Sequence, residues 1–184
     1  MPAPLRFFAL CGSLRAASVH LSVLRAAKCV LPQGVSLSIF EGLAAIPPFN
    51  PDLEGRGCDP ESVLDFRSRL RESGGLLIAS PEYAHGVPGV LKNALDWIVG
   101  SGELSGKPVA VLNASLTSTH AWNSLVETIR TMDARLIDEA SIRLPLPTNK
   151  MTAEEILAIP ALRESLAGAL SALALADRSD KTSA

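Results

Sequence analysis

Five short strand-like runs, separated by segments of helical repeat, constrain the fold of this chain more than any other feature. Leu5–Cys11, Val35–Phe40, Gly75–Ala79, Pro108–Asn113 and Arg135–Glu139 read as strands. The first, third and fourth are almost continuously apolar, the pattern of strands buried on both faces of a sheet. Between them Leu91, Ala94, Leu95 and Ile98 recur at helical spacing. Trp122, Leu125, Val126 and Ile129 do the same, and Leu21, Leu24 and Ala27 form a weaker stripe. Strands alternating with helices over 184 residues imply one α/β domain with a parallel sheet.

Five strands fit the flavodoxin-like order 2-1-3-4-5 better than the six-stranded dinucleotide order, giving a three-layer sandwich with helices on both faces. Asp59 before Pro60 is expected to cap a helix with proline in its first position. Thr152 and Glu155 have capping-box spacing, and Pro160 should kink or split the last helix, whose stripe is Leu162, Leu166, Leu170 and Leu173. Residues 1–176 are expected to form a single domain, with 177–184 a polar, flexible tail.

Two loops stand out for their chemistry. Gly12-Ser13-Leu14-Arg15-Ala16-Ala17-Ser18-Val19-His20 follows the first strand and opens a helix. Gly12 allows a tight turn, Ser13 and Ser18 offer hydroxyls, and the free N–H groups and dipole of the helix start favour an anion. Arg15 adds a charge-assisted hydrogen bond. The second loop, Ser80-Pro81-Glu82-Tyr83-Ala84-His85-Gly86-Val87-Pro88-Gly89, follows the third strand. Its prolines stiffen it, its glycines let a ligand approach, and Tyr83 and His85 can lie along a flat heterocycle. In the 2-1-3-4-5 order both loops flank the crevice where such sheets bind ligands. A phosphate loop beside a ring loop points to a flavin nucleotide. Plainer readings exist for each part: Ser13 and Ser18 as ordinary helix caps, Arg15 as a solvated charge, Tyr83 and His85 as cover for the sheet edge.

Other chemistries are disfavoured. Gly12 stands alone where a dinucleotide fingerprint needs three glycines, and Gly106-Lys107-Pro108 lacks the rest of a Walker loop. No acidic residue lies between Leu5 and Arg15, as a phospho-receiver site would require. A net charge of −2 offers no basic surface for nucleic acid, and every apolar run is too short to span a membrane. Cys11, Cys29 and Cys58 have no metal or disulfide spacing. With the start Met1-Pro2-Ala3-Pro4 leading directly into a strand, they suggest a cytoplasmic setting. The connection Glu41–Cys58 is long enough to expect that Ile46-Pro47-Pro48-Phe49-Asn50 walls the site or meets another subunit. Trp97 reads as core or subunit contact.

Gly12-Ser13-Leu14-Arg15-x-x-Ser18 together with Pro81-Glu82-Tyr83 and Pro88-Gly89-x-Leu91-Lys92-Asn93-Ala94-x-Asp96-Trp97 resembles the NADPH-dependent FMN reductase family over roughly residues 5–145. The resemblance implies a flavodoxin-like fold, non-covalent FMN, NAD(P)H as co-substrate and a small electron acceptor such as a flavin or quinone. It also implies a homodimer or homotetramer. Ser13, Arg15, Ser18 and His20 would serve the phosphate. Pro81, Glu82, Tyr83, Ala84, His85 and Gly86, with Ser115 from the loop after the fourth strand, would line the isoalloxazine. The chain departs from the family pattern in carrying His20 and Ala84 where asparagines are usual. Its loop Ala114–His120 also lacks the family's glycines. No side chain need act as acid or base, because the flavin carries the chemistry. An electron carrier, or a flavin-free binding domain on the same scaffold, are the alternatives.

Overall fold

The computed structural model describes residues 4–55 and 57–182. The expectations for residues 1–3 and 183–184 lie outside the described residues. Strands β1 (Leu5–Cys11), β2 (Val35–Phe40), β3 (Gly75–Ala79) and β4 (Pro108–Asn113) occupy the residues read from the sequence. The sheet is parallel with order β2-β1-β3-β4-β5. Helices α1 (Val19–Cys29), α2 (Glu61–Glu72), α3 (Gly89–Val99), α4 (His120–Thr131), α5 (Ala153–Ala158) and α6 (Pro160–Thr182) pack on its two faces.

Strand alternation sorts the core into two layers. Phe7, Ala9 and Cys11 of β1, Leu77 and Ala79 of β3, and Ala110 and Leu112 of β4 face α1, α5 and α6. Phe8, Leu10, Leu76, Ile78, Val109 and Val111 face α2, α3 and α4. The edge strand β2 alternates instead, with Ser36 and Ser38 exposed and Leu37 and Phe40 buried.

The fifth strand departs from expectation. The run expected over Arg135–Glu139 is cut to β5 (Arg135–Leu136), and a second piece, β6 (Ile142–Arg143), pairs further along β4. Between them Asp138–Ala140 makes a 3-10 turn. There the Val111 N–H donates to Ser141 Oγ at 3.2 Å, so a side chain replaces a ladder bond. The cap expected from Asp59 is also absent. Pro60 itself takes the cap position of α2, and the Asp59 carboxylate accepts from Arg67 Nη1 at 2.7 Å. A buried cation outbids a helix N-terminus for that carboxylate.

At the other end of the chain Thr152 and Glu155 form the reciprocal capping box. Ile159 is extended before Pro160, which splits α5 from α6 as a proline in first position should. Helix α6 runs on to Thr182, and Asp177, at the start of the expected tail, is buried.

The long connection after β2 is pinned rather than loose. Pro47 O accepts from Trp97 Nε1 (2.8 Å) and Asn93 Nδ2 (2.9 Å), and the Phe49 N–H donates to Asn93 Oδ1 at 2.7 Å. The Phe49 ring meets fully buried Trp97 edge-on at 5.1 Å. Further along, Glu54 accepts from buried Arg67 Nη2 at 2.7 Å, while Arg67 Nε donates to Trp97 O at 3.0 Å. These contacts hold the connection against α2 and α3, where it walls one side of the carboxyl end of the sheet.

Candidate functional site

The loops that leave β1, β3 and β4 meet at the carboxyl end of the sheet, and each pair of them is tied by a hydrogen bond. Ser13 Oγ lies 3.1 Å from the Tyr83 hydroxyl, joining the first and second loops. Glu82 Oε2 accepts from the Ala121 N–H at 2.8 Å, joining the second loop to the start of α4. His20 Nε2 accepts from the Ala114 N–H at 3.4 Å, joining α1 to the loop after β4.

Gly12 explains how closely the first two loops approach. A Cβ there would sit 2.5 Å from Ser80 Oγ and 3.2 Å from Leu91 Cδ2. The glycine makes room for the neighbouring loop as well as for a turn. Beyond it, the Arg15 N–H donates to Ser13 Oγ at 3.3 Å and the Ser18 N–H to Arg15 O at 3.0 Å. Ser13 and Ser18 are buried, while Leu14 and Arg15 stand exposed. Ser18 takes the cap position of α1 without a side-chain cap bond, and the first turn of that helix holds no acidic residue. A helix start left without a carboxylate, beside an exposed guanidinium, suits an anionic ligand.

His20 lies behind this loop. It is buried, and desolvation pushes its pKa from 6.5 down to about 4, with the Asn113 side chain opposing. The ring is therefore neutral near pH 7, with Nε2 accepting from the Ala114 backbone.

In the second loop Tyr83 and Gly86 exchange backbone hydrogen bonds of 3.1 and 2.9 Å across Ala84 and His85. Both central residues are left-handed, φ 48° and 58°, as in a type I′ turn. Ala84 holds this conformation without the side-chain amide that makes asparagine tolerant of it. Tyr83 is half exposed, with its hydroxyl held on Ser13 Oγ. The Glu82 carboxylate bridges Ala121 N and His85 Nδ1, the latter at 3.1 Å, and both bonds hold its pKa below the usual range. Glu82 thus caps α4, whose own cap residue Thr119 makes no side-chain bond. His85 also meets His120 ring to ring, 4.6 Å apart and edge-on.

The loop after β4 is organised by buried Asn113, whose Oδ1 accepts from the Ser115 N–H at 2.8 Å and whose Nδ2 donates to Ser118 O at 3.3 Å. Ser115 Oγ is 3.1 Å from Thr117 Oγ1, within its own loop. Asn93 lies within the family motif and His120 ends the Ala114–His120 loop, while for Asn113 and Arg67 the sequence offers no site signal beyond an asparagine closing an apolar strand.

Two cavities adjoin the first loop on its β2 side. One of about 260 Å³ is lined by Cys11, Arg15, Arg25 and Phe40, and another of about 320 Å³ by Leu14, Leu43, Pro48 and Val90. A cavity of about 590 Å³ opens at the opposite end of the sheet, near Arg71, Ser73 and Lys107. Its cations are engaged, Arg71 with Glu103 and Lys107 with Ser73 O, and ligands of open α/β sheets bind at the carboxyl end instead. Among the described residues no group of three or more His, Cys, Asp or Glu could hold a metal, and no helix is long and apolar enough to cross a membrane.

Fold and site together define a flavodoxin-like protein whose β1 and β3 loops meet at the carboxyl end of the sheet. The chain belongs to the NADPH-dependent FMN reductase family, whose profile matches residues 5–145. It is 32% identical over 176 residues to an NAD(P)H-dependent FMN reductase of Pseudomonas aeruginosa, covering 93% of this chain and 94% of that protein. With the quinone reductase of Escherichia coli the identity is 32% over 118 residues, and the match spans 63% of each chain. Among solved structures, the flavoenzyme NAD(P)H:(acceptor) oxidoreductase FerB of Paracoccus denitrificans superposes with a TM-score of 0.71 at 21% identity. That match covers 93% of this chain and 98% of that one. A WrbA-like flavodoxin of Agrobacterium tumefaciens gives 0.57 at 12% identity, covering 95% and 98%.

Proposed function

We propose that the chain is an FMN-dependent NAD(P)H oxidoreductase that passes hydride from nicotinamide, through bound FMN, to a flavin, quinone or similar small acceptor. The observation that carries this reading is the hydrogen bond between Ser13 and Tyr83, which joins an anion-suited loop to a ring-suited loop over one crevice. The residues fit the cofactor: the start of α1 lacks a side-chain cap and an acidic residue, and exposed Arg15 stands beside it. When bound, FMN supplies the hydride chemistry.

The chain's own residues bind and orient. Ser13, Arg15 and Ser18 hold the phosphate. Pro81 to Gly86, with Ser115 opposite, line the ring, and Tyr83 offers it a half-exposed face. His20 acts from behind, as a neutral strut between α1 and the third loop. The FMN-binding domain expected over residues 1–176 takes in buried Asp177 as well. Exposed Leu14, Tyr83 and Leu116 on the rim, each more than half accessible, favour burial against a second copy in a homodimer or homotetramer. A cytoplasmic setting suits a chain whose Cys11, Cys29 and Cys58 form no disulfide among the described residues.

The test is anaerobic mixing of the purified protein with FMN and then NADPH or NADH, followed in the visible spectrum. Bound flavin is expected to bleach with either or both nucleotides. A flavin that binds but stays oxidised would indicate a carrier, and protein that takes up no FMN would remove the cofactor from this chain.

A further inference from the structure

Glu82 has two partners, and the second is not needed for the fold. One carboxylate oxygen caps α4 through the Ala121 N–H, which is structural. The other accepts from Nδ1 of His85, whose side chain is 79% exposed and contributes nothing to the core. The turn holds His85 at φ 58° and, beside it, Ala84 at φ 48°. Backbone strain of this kind clusters at functional sites. Among the described residues the ionisable groups that contact His85 are Glu82 from its own loop and His120 from the first turn of α4. A carboxylate on Nδ1 fixes the ring's orientation, and among the described residues Nε2 takes no hydrogen bond, which leaves that nitrogen for a molecule bound beside the loop.

Resting on the flavin reading above, we infer that His85, positioned by Glu82, donates the proton that completes reduction of a quinone acceptor. A quinone reduced by hydride becomes a hydroquinone anion and needs one proton; an acceptor of single electrons, such as ferricyanide, needs none. The hydride comes from the reduced flavin, which is thereby oxidised, and the quinone gains both electrons. The His85 Nε2–H bond breaks as the O–H bond of the hydroquinone forms, and the neutral imidazole takes its proton back from water at its exposed edge. His120, against the ring face, limits how His85 can turn.

The experiment compares FMN-loaded wild-type protein with H85Q, using NADPH as donor and either 1,4-benzoquinone or ferricyanide as acceptor. The ferricyanide rate absorbs any effect of the substitution on the flavin, so the ratio of the two rates isolates the proton. That ratio is expected to fall by about 100-fold in H85Q, the usual range for loss of a general acid. The wild-type quinone rate should decline with rising pH in a limb that H85Q lacks. An unchanged ratio, or a limb that survives in H85Q, overturns the inference. Nitrogen NMR of the imidazoles in flavin-free protein gives a second readout. The Nδ1 proton of His85 should be fixed in wild type and released in E82Q, and identical spectra would remove Glu82 from the positioning role. A wild-type protein that reduces neither acceptor refutes the flavin reading as well. Ferricyanide reduction with an unchanged ratio refutes only the role of His85.

Discussion

The Ser13 hydroxyl and the Tyr83 hydroxyl, 70 positions apart in sequence, share a hydrogen bond of 3.1 Å that latches the phosphate loop to the ring loop. Tyr83→Phe keeps the ring and removes the latch. A partly buried neutral hydrogen bond contributes about 0.5–1.5 kcal/mol, so the FMN dissociation constant should rise by roughly 2- to 12-fold. Titration calorimetry would measure it. An unchanged constant would mean that the two loops hold their spacing without the latch.

Arg15 is exposed, and among the described residues its guanidinium makes no hydrogen bond or ion pair, so its charge is available to a ligand. Arg15→Ala should weaken FMN by about 1.5–3 kcal/mol, the range for a hydrogen bond to a charged group, and leave the melting temperature of the flavin-free protein within error. Fluorescence quenching of FMN and a thermal scan separate the two effects. A fall in melting temperature with intact affinity would assign Arg15 to structure.

Ala84 occupies a left-handed turn position, and strain there is of the order of 1–2 kcal/mol for a residue with a Cβ and no local hydrogen bond. Ala84→Asn should therefore raise stability by about 1 kcal/mol, read as a higher urea midpoint with an unchanged slope. Ala84→Gly should gain less, because glycine also loosens the unfolded chain. If Asn and Ala are equally stable, the turn relaxes in solution.

The central strands were legible because β1, β3 and β4 are buried on both faces, which leaves an unbroken apolar run in the sequence. The fifth strand was not, since the polar Asp138 and Glu139 belong to a turn whose ladder bond is supplied by Ser141 from further along. The two loops of the site could be placed from local chemistry. Their mutual ties could not. Glu82 caps a helix 39 positions away and His20 meets a backbone N–H 94 positions away, and no local spacing encodes such pairs. Asp59 fails for the same reason. Its spacing to Pro60 is that of a cap, but Arg67 reaches it from within the helix.

His20 gives the acid side of the stability curve a specific origin. Burial lowers its pKa to about 4 from 6.5, so between those values the unfolded chain binds a proton that the folded chain refuses. A group with a depressed folded pKa that is neutral when buried contributes its stability in full above pH 6.5. That contribution shrinks as the pH falls through the window, by about 3 kcal/mol at pH 4. Urea unfolding of wild type and His20→Asn across pH 4–7 would isolate it. The difference in unfolding free energy should shift toward the variant as the pH drops, because asparagine has nothing to titrate. At pH 7 the same variant should bind FMN at least as well as wild type, since the buried imidazole bonds to the Ala114 backbone and its neutral ring adds no charge to the phosphate loop. A pH-independent difference would place the protonated ring comfortably in the fold, and a large loss of FMN affinity would give His20 a direct part in holding the ligand.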